Sequence, residues 1–197
     1  LVILVALFFV GRQTELIPDF FAGGDAQSEL GEIDEHVTEC LNELGTQYIT
    51  QIALQGGYLS VGADTYKMWN DTTVSYLCWA LDNGLCSNRL LTEKHMESEL
   101  EDVLTNALST CINVYDYSDE VTAAGDWTLD VDITQSNVVL DLDYPVQITK
   151  EDGTTASVDG FSESVNLPLG ELYDVAMDVV NMEAAYGDFD TLIYMLG

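Results

Sequence analysis

The chain opens on LVILVALFFV, an unbroken apolar run with no charge before Arg12. Residues 11–28, GRQTELIPDFFAGGDAQS, mix turn formers with polar side chains and predict a linker, with Asp25 or Ser28 placed to cap the element that follows. From Glu29 the apolar positions Leu30, Ile33, Val37, Cys40, Leu41, Leu44, Tyr48 and Ile52 recur at spacings of three and four. That period predicts an amphipathic helix of about six turns, stopped at Gly56-Gly57, where glycine admits a left-handed turn without steric cost.

Residues 58–91 carry no clean period. Their aromatic set, Tyr66, Trp69, Tyr76 and Trp79, predicts core packing around a short helix and a constrained loop. Thr92 is placed to cap a further helix with Met96, Leu100, Val103, Leu104, Ala107, Leu108, Cys111 and Ile112 on one face. Its other face is acidic, with Glu93, Glu97, Glu99, Glu101 and Asp102.

The period then changes from three-and-four to two. WTLDVDI alternates Leu129, Val131 and Ile133 with Asp130 and Asp132, and VVLDLDYPVQI alternates Leu140, Leu142 and Tyr144 with Asp141 and Asp143. These predict two strands with one buried face, joined by the turn TQSN. KEDGT turns the chain into a third strand ending near Leu167, and Pro168 suits the first turn of a last helix with Leu172, Val175, Val179 and Met182 facing inward. After Gly187 the tail FDTLIYMLG starts another helical pattern. The fold class expected is α+β, with amphipathic helices packed on a small antiparallel β-meander and a separate hydrophobic N-terminal segment. The domain plan is a docking or anchor segment 1–10, a linker 11–28 and an α+β domain 29–197.

Charge narrows the setting. Asp and Glu number 35 against five Lys plus Arg, a formal net charge of −30. Nucleic acid and anionic membrane surfaces both demand positive charge, so no nucleic-acid partner is expected. Screening shrinks to about 3 Å at 1 M salt, so a carboxylate coat of this density suits a protein that works in brine. Divalent cations are the other way to offset it. If the two alternating strands pair, Asp130, Asp132, Asp141 and Asp143 project from one face with cross-strand neighbours about 5 Å apart. They form a candidate calcium site, but no Asp-x-Asp-x-Asp-Gly loop supplies a cage, so a solvated acidic face is the preferred reading and no cofactor is expected.

Cys40, Cys78, Cys86 and Cys111 form no C-x-x-C pair. Cys78 and Cys86 flank WALDNGL, whose Asp82-Asn83-Gly84 is a turn signal, so a disulfide would close a small loop; Cys40 and Cys111 sit on apolar helix faces and would staple two helices. Buried free thiols are the alternative. Disulfides favour an extracytoplasmic setting, as does the glycosylation triplet NDT at Asn70. His36 and His95 stand alone on their helices, and no G-x-S-x-G, H-E-x-x-H or phosphate-binding loop occurs. Carboxylates paired for glycoside hydrolysis lack a member marked as buried. An enzyme is therefore not expected.

The run CLNELGTQYITQIALQGGYLSVG, with YLCWALDNG, MESELEDVLTNALSTCINV and VVLDLDYPVQIT, resembles a family of uncharacterised extracytoplasmic QGGY-motif proteins from small-genome DPANN archaea. The resemblance spans roughly residues 36–180 and rests on Cys40, Gln55, Gly56, Gly57, Tyr58, Cys111, Tyr144 and Pro145; the acidity of this chain departs from the pattern. It implies a surface location, extracellular or cell-surface, and no particular chemistry.

The opening segment then decides between two expectations. As a helix, ten residues span about 15 Å, half of the roughly 30 Å hydrocarbon core; as a strand they span about 33 Å. The β-branched and aromatic content of Val2, Ile3, Val5, Phe8, Phe9 and Val10 favours a strand. The first expectation is a homopolymer, a structural subunit of an archaeal surface filament, whose docking residues Leu1, Val2, Ile3, Leu4, Val5, Leu7, Phe8, Phe9 and Val10 enter the next copy as an added strand or a bundled helix. Such head-to-tail contacts do not close. The alternative is a membrane-anchored extracytoplasmic binding domain in which residues 66–79 meet a ligand.

Overall fold

The computed structural model describes residues 24–187 apart from 82–84, 117–120 and 124–125. The docking residues Leu1 to Val10, most of the linker, the Asp82-Asn83-Gly84 turn and the tail after Gly187 lie outside the described residues. Helix α1 runs Gly24–Leu54, starting five residues before the expected Glu29, so Asp25 and Ser28 both lie inside the helix rather than at its cap. Leu30, Ile33, Val37, Cys40, Leu41 and Ile52 are buried as the spacing predicts, joined by Ile49, while Leu44 and Tyr48 pack at the edge of the core. Each fully buried aliphatic side chain contributes about 1.5–3 kcal/mol, so this one face is a major part of the core.

The helix ends as its glycines require. Gly56 and Gly57 have φ of +76° and +87°, and the Gly57 N–H donates to Ile52 O at 2.8 Å while the Gly56 N–H reaches Ala53 O at 3.4 Å. This paired closure satisfies carbonyls that the last turn leaves open.

Two small hairpins follow in place of the expected helix. Strands β1 (Tyr66–Trp69) and β2 (Thr72–Ser75) pair with Trp69 opposite Thr72, leaving Asn70-Asp71 as a two-residue turn. Both turn residues have positive φ, 46° and 64°, the handedness that matches strand twist in tight hairpins. Strands β3 (Cys78–Ala80) and β4 (Cys86–Asn88) form the second hairpin, with Ala80 opposite Cys86.

Helix α2 (Glu93–Leu108) starts at Thr92, whose hydroxyl accepts from the His95 N–H, and buries Met96, Leu100, Leu104 and Leu108. The main sheet comprises β5 (Val121–Ala123), β6 (Thr128–Ile133), β7 (Val138–Thr149) and β8 (Thr155–Val165), all antiparallel. The expected meander β6–β7–β8 is present, and β5 extends it. Strand β7 is central: β8 pairs along one edge, while β6 and then β5 share the other. The register shift between β7 and β8 falls between Asp143 and Val146, where Tyr144-Pro145 stand. Proline has no N–H for the ladder, so it belongs at such a break.

Helix α1 packs over β8 and β7, and α2 over β6 and α1, so both cover one face of the sheet. Gly45 allows the approach, since a Cβ there would lie 2.5 Å from Leu140 Cδ1.

The last helix, α3 (Leu169–Tyr186), begins after Pro168 and ends at Gly187 with φ of +70°. Its N-terminus sits on the β6–β7 turn, where the Gly170 N–H donates to Thr134 O and Gln135 donates to Asp174. The inward face expected for α3 is a correction. Leu172 and Val175 are 52% and 43% exposed, Val179 and Met182 only half-buried, and the helix buries Leu169, Gly170 and Val180 instead. Helical spacing fixes which residues share a stripe, not what the stripe faces.

A Cβ at Gly170 would stand 2.6 Å from Thr134 O and 2.9 Å from Thr134 C, backbone atoms that cannot step aside, whereas one at Gly31 meets nothing within 4 Å. Gly170→Ala is expected to cost about 1–3 kcal/mol by overpacking, and Gly31→Ala to stabilise α1 by about 0.5–1 kcal/mol. Denaturant unfolding of both variants checks this; equal stabilities would contradict the close approach.

Candidate functional site

On the exposed face of the sheet the alternation places all four expected aspartates outward. Asp130 lies directly opposite Asp141, Asp143 opposite Thr128 and, on its other side, Gly160, and Asp132 opposite Val139. A shallow groove there is lined by Asp130, Asp141, Asp143, Asp159 and Ser162. Like charges directly opposite in a sheet oppose pairing, so this face is held by what lies beneath it.

The acidic face of α2 has a more specific task. Strand β6 is an edge strand of the sheet, and two of its N–H groups point at α2: Ile133 donates to Glu97 Oε1 at 3.2 Å and Val131 to Glu101 Oε1 at 3.3 Å. A third glutamate, Glu99, accepts from the Leu59 N–H at 3.1 Å and lies 3.4 Å from His95. Glu97 and Glu101 thus cover two donors that an added strand would otherwise use. Glu93 at the start of the same helix has its carboxyl raised from the ordinary 4.5, first by burial and then by Asp174, Glu97 and Asp132 around it.

Both expected disulfides are formed. Cys40 joins Cys111 across 71 residues with a Cα separation of 6.1 Å, and Cys78 joins Cys86 across eight, with 5.3 Å between Cα atoms. The first ties the middle of α1 to the chain after α2. His36 lies beside it, its Nε2 2.8 Å from Cys111 O and 3.6 Å from Cys40 Sγ. His36, Cys40 and Cys111 have the donor types of a soft-metal site, but both sulfurs are bonded to each other, and the imidazole serves the Cys111 carbonyl. His36 is therefore held by the Cys111 carbonyl beside the disulfide.

The QGGY run is a junction. Beyond its glycines, Gln55 O accepts from the Ser75 N–H, and the Gln55 side chain, with its amide oriented to suit its neighbours, donates to Tyr58 O and Leu59 O and accepts from Thr73 Oγ1. The Tyr58 hydroxyl donates to Arg89 O. The motif thereby binds the end of α1 to both hairpins.

The aromatic set is at the surface, not in the core: Trp69 is 66% exposed, and Tyr66, Tyr76 and Trp79 are exposed as well. The hairpins are too short to bury both faces, and they stand at the margin of the helix-covered sheet. Arg89 lies over the Trp79 ring at 5.4 Å. Asn70 occupies the exposed tip of the β1–β2 turn, sterically open for the modification its triplet allows.

A cleft lined by Gly56, Gly57, Leu77, Leu90, Leu172 and Tyr173 lies where the end of α1 meets α3. Sequence reasoning missed this region, because its parts come from four separate stretches. Among the described residues no helix is long and apolar enough to cross a membrane. No protein-family model, curated protein or solved structure matches the chain, so the QGGY resemblance rests on the sequence alone.

Removing Cys40–Cys111 by a double Ser substitution is expected to cost about 4 kcal/mol, and removing Cys78–Cys86 about 2.5 kcal/mol, from the loop lengths closed; chemical denaturation gives both. Glu93 titrates higher when folded than unfolded, so its ionisation opposes folding, and stability falls as pH rises through its folded pKa. Glu93→Gln is expected to raise the melting temperature at pH 7 and low salt. The gain should fade below pH 4.5, where wild-type Glu93 is protonated in both states; a loss at pH 7 contradicts it.

Proposed function

We propose that this chain is a structural subunit of an archaeal cell-surface filament or pilus-like homopolymer, joined through its hydrophobic N-terminal segment. The observation that carries the reading is the contrast within one chain. A disulfide-stapled domain with a dense acidic coat follows a run, Leu1 to Val10, that has no charge at all. Disulfides fit an oxidising environment outside the cytoplasm. The acidity fits brine, where screening relieves the repulsion between copies. A glycan at Asn70 would sit on the outer surface of such an assembly.

A second reading, a membrane-anchored extracytoplasmic binding domain, is favoured by one observation. Trp69, Tyr66, Tyr76 and Trp79 are displayed on the two hairpins rather than buried, and exposed aromatics with one polar end suit a ligand face.

Negative-stain electron microscopy of the full chain in high salt, with and without residues 1–10, separates these. Filaments that vanish on truncation are expected. Dispersed particles that co-float with vesicles only when residues 1–10 are present would replace the polymer with the anchored domain.

A further inference from the structure

The stripe left open on α3 has a definite geometry. Leu172, Val175, Val179, Met182 and Tyr186 follow one another at spacings of three, four, three and four. That is the a/d seam of two helical heptads, the pattern by which one helix receives another. Leu172, Val175 and Tyr186 are exposed, Tyr186 at 77%, although seams of this kind are normally covered. The packing of α3 is to β4 and β3 on its other side, with Asn88 donating to Asn181 and reaching the Met177 sulfur.

Charge decides what can cover it. The positions flanking the seam carry Glu171, Asp178 and Glu183, and no cation among them. Two copies of α3 laid together would set carboxylates against carboxylates, the arrangement that rejects a partner in coiled coils. An acidic segment is disfavoured for the same reason. Leu1 to Val10 is the longest wholly apolar run in the sequence, uncharged, and followed by Arg12, one of only five Lys and Arg in the chain. As a helix it is about 15 Å long, which fits within the roughly 21 Å from Leu172 to Tyr186. As a strand of about 33 Å it would overhang, and the β6 edge it could join already has Glu97 and Glu101 on its donors.

Reach decides which copy supplies it. The seam starts at the far end of α1 from Gly24, since Leu172 and Tyr173 share a cleft with Ala53, Gly56 and Gly57. A helix of 31 residues separates the two ends by about 46 Å. Residues 11–23, at most about 3.3–3.6 Å each, span about 43–47 Å when fully extended. A segment reaching the Leu172 end of its own seam would hold the whole linker taut, whereas the seam of a neighbouring copy imposes no such demand.

We infer that the α3 seam is the receptor for residues 1–10 of a second copy, bound as a helix, and so forms the other half of the head-to-tail contact. This rests on the polymer reading above and names its missing surface.

The test places p-benzoylphenylalanine at Val175 of the full chain, mixes it with an equal amount of full chain uniformly labelled with nitrogen-15, and irradiates the mixture in high salt. The peptide joined to position 175 is expected to come from residues 1–12, with the label of the other copy in about half of the products. An adduct to its own residues 1–12 only, to another α3, or to the tail after Gly187 overturns the inference. In parallel, Val175→Asp and Tyr186→Asp, both at exposed positions, are expected to keep the native melting temperature while the pelletable polymer falls at least tenfold. If truncation of residues 1–10 abolishes filaments but these folded variants still assemble, the seam is wrong and the polymer reading stands. If the full chain never assembles, both fall.

Discussion

The structure depends on one division of labour along strand β7. Val138, Leu140, Leu142, Tyr144, Val146 and Ile148 point under α1 and α2 and are buried, while Asp141 and Asp143 between them face water. The sheet is therefore a partition, with the apolar core on one side and a share of a −30 charge on the other. Burial on the inner face must exceed the repulsion on the outer one, and the Cys40–Cys111 bond limits how far the chain can open when that balance is strained.

Several residues of the acidic face of α2 help to close that partition. Glu97 and Glu101 accept from the free edge of β6, and Glu99 from the loop after α1. Carboxylates in these places satisfy donors and at the same time deter further strands. The protein thus blunts one sheet edge with charge while leaving a helical stripe of α3 apolar. In the proposed assembly, association would go through that uncharged stripe rather than through the sheet.

Much of this was legible in the chain. The α2 face and the β6–β7–β8 meander follow from uniform periods, and both disulfides from the placement of the cysteines on apolar faces and around a turn. The β1–β2 hairpin was not, because strands of four residues show no period and their signal was the Asn70-Asp71 turn, which also reads as part of a glycosylation triplet. The outward set of α3 was hidden because three-and-four spacing looks the same whether the stripe meets a core or another molecule. The bonds of Glu97 and Glu101 join residues 30 or more positions apart, and no local pattern announces them. The aromatic residues misled for a related reason: size suggests a core, but these side chains stand at the surface of two short hairpins.

We expect the outer aspartates to be tolerated rather than used, held in place by the apolar face beneath them. Thermal unfolding of the wild type and of Asp141→Asn, compared at 0.1 M and 2 M potassium chloride, tests it most directly. Removing the charge opposite Asp130 is expected to raise the melting temperature at low salt, with the gain largely gone at high salt. A fall in melting temperature at low salt would contradict the account, because it would mean that the Asp141 carboxylate stabilises the sheet through a bound cation or a partner on that face.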